Sequence, residues 1–207
     1  MTVSAATAGH IDDLHIQGKD AGSKFDSSSL EELFTDAAEK MPEDILDQKG
    51  PVAFSVDMGK GMGKEGLATM EELKTEGTIT ETDIVAAQSV KSQAQELNKS
   101  GTPETRATFV QEFASKNPEC KVQFQVIRGA VIVPVVKSPK RATNQLFMVF
   151  GPGSKDPNSK TLWTAAPGRN MPRHPNPVQF KPEEGGVDGD AYKQSADAWF
   201  DTVMLVG

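Results

Sequence analysis

Cysteine is almost missing from this sequence: Cys120 stands alone among 207 residues, so no disulfide within the chain can staple it. That thiol and the three histidines, His10, His15 and His174, are not spaced for a zinc site, and neither a metal nor a cofactor is expected. Long apolar runs are missing too. The longest, 130–136, is interrupted by Pro134 and falls far short of the ~20 residues a membrane helix needs, so no membrane span is expected. The first twenty residues have neither a basic start nor a continuous apolar core, which leaves the cytoplasm as the expected location. No repeat at solenoid periods and no heptad seam is visible, excluding repeat arrays and coiled coils.

What remains, 37% hydrophobic and 25% charged residues with a net charge of −7, is the composition of an ordinary globular chain. Its length suffices for one buried core without staples. Residues 1–26 are rich in Gly, Ala, Ser and Asp with scattered apolar side chains, which do not offset the entropy of ordering them; a mobile polar arm is expected there. Residues 27–207 read as a single domain, with a mainly helical acidic half (27–118) and a strand-rich basic half (119–207).

Helices are predicted where apolar residues recur at helical spacing behind capping residues. The first follows Ser28 or Ser29 and buries Leu30, Leu33, Phe34, Ala37, Ala38 and Met41 before Pro42 stops it. Thr69 with Glu72, and Thr80 with Asp83, form capping boxes that start helices over 69–75 and 81–98. Thr102 and Pro103 start another, which buries Phe109, Val110 and Phe113. Strands are predicted over 52–56, 122–126 and 130–136, the last two as a hairpin, and over 145–150 and 161–165, with a further helix carrying Trp199 and a strand over 202–206. Trp163, Phe147 and Phe150 alternate with aliphatic residues and are expected in the core rather than as base-stacking residues. Helices first and antiparallel strands later indicate an α+β fold, a mostly antiparallel sheet with helices packed on one face.

The run GKGMGKEG after Asp57 has the order strand, glycines, helix, but only three residues separate Gly59 from Gly63-Lys64, and Glu65 stands where a Walker loop places Ser or Thr. A flexible surface loop is the expectation. Cys120 is expected to pack as a small thiol under the sheet.

Charge is unevenly spread along the chain. Residues 1–118 hold 11 Lys and Arg against 21 Asp and Glu, while 119–207 hold 11 against 8. Within 120–182, ten cations face Asp156 alone. Such a block either neutralises an anionic ligand or pairs with the acidic helices of its own chain. Two loops in it, SPKRATNQ and PGRNMPRHPNP, cluster cations with hydrogen-bonding side chains. Lys140, Arg141, Arg169 and Arg173 are the candidate anion-binding residues, because guanidinium pairs bidentately with phosphate and carboxylate. His174, its charged form disfavoured beside arginines, is the candidate catalytic base. The strand, turn and strand over 145–168 resembles the sheets of small toxin-type ribonucleases, where an RNA backbone lies across a basic sheet; it carries no diagnostic motif and assigns no family.

Three function classes follow. The leading one is a non-enzymatic binding or adaptor protein whose basic sheet and loop surface takes an anionic ligand, a nucleic acid or an acidic protein. The second is a phosphoester- or RNA-processing enzyme using His174 and nearby arginines. The third is a small-molecule enzyme whose site is assembled from scattered residues.

Overall fold

The computed structural model describes residues 2–3, 11, 24–25, 30–42, 52–127, 131–152, 160–171, 194 and 197–207. These form an α+β fold with mostly antiparallel sheets and helices packed against them. The strands are β1 (Thr2–Val3), β2 (Lys24–Phe25), β3 (Val52–Asp57), β4 (Gly63–Glu65), β5 (Leu67–Thr69), β6 (Val122–Ile127), β7 (Val131–Val136), β8 (Arg141–Thr143), β9 (Gln145–Pro152), β10 (Lys160–Pro167) and β11 (Thr202–Leu205). The helices are α1 (Leu30–Lys40), α2 (Met70–Thr75), α3 (Glu81–Ser89), α4 (Lys91–Ser100) and α5 (Pro103–Lys116). The chain divides into two compact units, one of residues 1–67 and 140–170, the other of 68–139 and 171–207. Each unit thus draws on both the acidic and the basic half of the sequence.

In the first unit a four-stranded sheet has the order β1-β10-β9-β3. Its inner face follows from strand alternation: Val56, Leu146, Met148, Phe150, Leu162 and Ala165 join Phe34 and Ala37 of α1 in one core. Ile11 and Phe25 are buried in the same core, Thr2 and Val3 extend the sheet alongside Thr161 and Leu162, and Lys24–Phe25 pairs with β4. At these five positions of 1–26 the chain is docked, and no free arm is seen there. Two large apolar side chains and two short ladders supply contacts that a periodicity test over the whole segment averages away.

The second unit packs α2 to α5 on a sheet of order β5-β11-β7-β6. The capping boxes at Thr69/Glu72 and Thr80/Asp83 are formed, and Thr102 is capped reciprocally by Thr105. Phe109 and Phe113 meet Phe124 of β6 edge to face, with ring centroids 5.4 and 4.7 Å apart. The single helix expected over 81–98 is broken at Val90, where the amide turns back to the carbonyls of Ala87 and Gln88. Ala87 and Ala94 stay buried on either side of the break. The hairpin of β6 and β7 is antiparallel, and the C-terminal strand β11 runs parallel to β7.

Pro134 sits inside β7, all six residues of which are buried. Ile132 and Val136, two residues to either side, direct their polar backbone groups away from β6, toward Asn98 and Val206 respectively. By alternation the nitrogen of Pro134 faces the same way, so its missing donor removes no bond from the β6 ladder.

No helix among the described residues is long and apolar enough to cross a membrane.

Candidate anion-binding site

The glycine-rich run is ordered rather than flexible. Met58 and Met62 are buried, the Asp57 carboxylate accepts from the Gly59 amide at 2.7 Å and from Asn144 Nδ2 at 2.8 Å, and the Met62 amide donates to Thr143 O at 2.8 Å. Gly59 and Gly63 have φ of 67° and 136°, conformations that side chains resist, which explains glycine at both positions. With the Gly59 and Met62 amides engaged inside the unit, they form no cradle for a phosphate.

Gly63, Lys64 and Glu65 become β4, the central strand of a second sheet, order β2-β4-β8. Lys64 is exposed and lies directly opposite Lys24 on one side and Ala142 on the other. Glu65 alternates inward, is 6% exposed, and stands opposite Arg141. Its carboxylate also holds Arg169: Nη2 lies 3.3 Å from Oε1, while the Arg169 amide and Nε approach Oε2 at 3.3 and 3.5 Å. Lys140 leads into β8.

The candidate cations Lys140, Arg141 and Arg169 therefore fall in one compact unit. Arg173 and His174 lie outside the described residues, as do His10 and His15. Lys64 escaped the sequence reading because Gly, Lys and Glu are all poor strand formers, and only the ladder to β8 makes them a strand.

The charge asymmetry seen along the chain is not one between the units. The first holds 11 Lys and Arg against 14 Asp and Glu, and the second holds 11 against 15. Ion pairs inside each unit use part of this balance: Lys60 with Asp36 and Arg169 with Glu65 in the first, Lys74 with Glu81 and Lys91 with Asp197 and Asp201 in the second.

Among the described residues no three His, Cys, Asp or Glu side chains gather as metal ligands would. Cys120 is half-buried beside the second core, with its Sγ 3.7 Å from the Asp83 carbonyl. Burial, reinforced by the charge of Asp83, pushes its thiol pKa up, away from a reactive thiolate. Comparison with protein-family models, with curated proteins and with solved structures yields no match.

Proposed function

We propose that this chain is a non-enzymatic cytoplasmic binding protein whose second sheet, through Lys64 and Lys140, contacts an anionic ligand. The observation that carries the reading is Lys64, exposed on the central strand of the second sheet. A lysine on an outer strand protects an edge, but Lys64 lies on the central strand, where edge protection does not account for it. An anion resting on this face neutralises Lys64, and Lys140 lies two residues before Ala142, the partner of Lys64, on the same side by alternation, whereas Arg141 stands with Glu65 on the other face. Arg169 is assigned to the fold, since the buried carboxylate of Glu65 already neutralises it.

The test is calorimetric titration with inorganic polyphosphate at low and moderate salt. Binding is expected to weaken linearly in log salt, and the double variant Lys64→Ala, Lys140→Ala is expected to lower both affinity and slope, by about one ion per removed contact. No heat at low salt, or an unchanged slope in the double variant, overturns the proposal.

A further inference from the structure

The four-stranded sheet of the first unit ends on β3, whose six residues pair with β9 without a break, from Val52 opposite Phe150 to Asp57 opposite Gln145. The other ladder of β9 is interrupted. Leu162 pairs with Phe150 and Thr164 with Val149, so Trp163 is an extra residue, and its side chain is 44% exposed rather than in the core its alternation implied. Bulges, lysines and prolines are devices that keep an outer strand from pairing with another chain. β3, with the sequence VAFSVD, has none of them. In their place stands Asn170, which is exposed: its Nδ2 donates to the Ala53 carbonyl at 3.1 Å, and its amide donates to Ser55 Oγ.

That bond to Ala53 fixes the phase of the ladder. Val52, Phe54 and Val56 bond to β9, while Ala53, Ser55 and Asp57 direct their backbone groups outward. The bond from the Met58 amide to the Asn144 carbonyl, one position beyond the last pair, has the same phase. Among the described residues no backbone group meets those of Ser55, and the edge is accessible, with Ala53 and Ser55 half-buried and Asp57 exposed.

We propose that this edge pairs with β3 of a second copy of the chain, antiparallel about a two-fold axis at Ser55, and that Asn170 gates the pairing. An isologous contact must complement itself. With Ser55 opposite Ser55, Ala53 stands opposite Asp57, and Phe54 stands opposite Val56 in the row that faces the core. No charge then meets its like, and an aromatic ring meets a β-branched chain, a favourable cross-strand pair. The other axes on this phase are worse. An axis at Ala53 or Phe54 runs the ladder onto Pro51, which has no amide hydrogen. An axis at Val56 calls on the Gly59 amide, already bonded to the Asp57 carboxylate, and an axis at Asp57 sets carboxylate against carboxylate. Phe54 is half-buried, its ring stacked on Phe150 with centroids 5.9 Å apart, and is the apolar surface that the second copy covers. The Asn170 carboxamide must swing off the Ala53 carbonyl to admit the Asp57 amide of that copy.

Sedimentation equilibrium over rising concentration is expected to show a reversible dimer for the parent. N170A is expected to lower its dissociation constant on the order of tenfold, since neither copy then gives up a hydrogen bond to pair. Ser55→Pro removes an outward donor and leaves the β9 ladder whole, and Ser55→Lys sets lysine against lysine across the axis; both are expected to stay monomeric. Circular dichroism confirms that they fold, and where proline disturbs the strand the lysine variant decides. Hydrogen exchange gives a reading without mutation: the Ser55 amide is expected to exchange more slowly as the parent is concentrated, while that of Phe54, already bonded to β9, keeps its rate. Parent and N170A both monomeric at every concentration would overturn the proposal, as would a dimer that Ser55→Lys leaves intact.

Discussion

The Asn98 side chain completes the hydrogen bonding of Ile132. Its Nδ2 donates to the Ile132 carbonyl at 3.1 Å, and the Ile132 amide donates to its Oδ1 at 2.7 Å. Asn98 is 2% exposed and Ile132 0%. Strand β11 reaches β7 only at Val135 and Val136, so beside Ile132 the carboxamide on α4 takes the place of a neighbouring strand. The break at Val90 divides the helices so that α4 carries Asn98 over β7.

Asn98→Ala is therefore expected to strand one buried donor and one buried acceptor. Each unsatisfied buried group costs about 1 to 3 kcal/mol, so a loss of roughly 2 to 6 kcal/mol is expected by urea denaturation. Asn98→Leu refills the volume without the bonds, and is expected to be no better. A loss below ~0.5 kcal/mol in both would show that the pairing contributes nothing.

Deletion of residues 1–26 is expected to destabilise the protein strongly. It removes Ile11 and Phe25 from the core of the first unit and uncovers the ladder edges at Thr161 and Lys64. Losing two buried large side chains is worth about 4 kcal/mol or more, since each large-to-small truncation in a core costs roughly 2 to 5. Thermal denaturation checks this: a melting temperature equal to the parent's would show that the segment is dispensable.

Much of the fold was legible because local signals and tertiary needs agree. Thr69, Thr80 and Thr102 cap helices in the structure as their spacing implies, and the alternation of Val122, Phe124 and Val126 places Phe124 under Phe113. The signals that failed are those in which a polar residue takes a core position or a ladder overrides propensity. Asp83, Ala87, Ala94 and Asn98 share one buried stripe, but only the two alanines look apolar. Extending that stripe regardless of polarity would have found both polar residues. The bulge at Trp163 has no local marker, and the GKE strand contradicts its own propensities. Of the candidate site, the grouping of Lys140 and Arg141 was readable from the sequence; the buried partner of Arg169 was not, because Glu65 is distant in the chain and sits in a run that looks like a loop.

The stability of the second unit is expected to fall in acid through Asp83. Burial disfavours its charged carboxylate, but hydrogen bonds from the Lys121 amide and from Thr80 outweigh this, and its pKa lies below the usual carboxylate range. The folded state therefore binds the proton less readily than the unfolded state, whose Asp titrates near 3.9, so this contribution is present above about pH 5 and is lost as pH falls through the lowered folded pKa. Asp83→Asn is expected to be less stable than the parent at pH 7 by about 1 to 2 kcal/mol, the range for a lost cap, and to show a shallower acid limb. Urea midpoints measured from pH 7 to pH 2.5 check both; equal slopes for parent and variant would remove Asp83 from the account.

Arg169→Ala separates a guanidinium that holds the fold from one that holds a ligand. Its partner Glu65 is buried, and removal of one member of a buried pair leaves an uncompensated charge, worth about 3 to 5 kcal/mol when both are enclosed. The Arg169 side chain is 33% exposed, so solvent screening brings the expected loss down to roughly 1 to 3 kcal/mol. Glu65→Gln in the Arg169→Ala background removes the orphaned charge and is expected to recover part of that loss, giving a coupling energy in a double-mutant cycle. Arg169→Lys keeps the charge without the planar fork that engages Oε1 and Oε2 together, and is expected to fall between parent and alanine variant. Because Glu65 already neutralises Arg169, the salt slope for polyphosphate in Arg169→Ala is expected to stay close to the parent's. The opposite pattern, parental stability with a slope reduced by about one, would move this guanidinium from the fold to the ligand and place the anion at the β4 and β8 end of the first unit, on the side where Glu65 is buried.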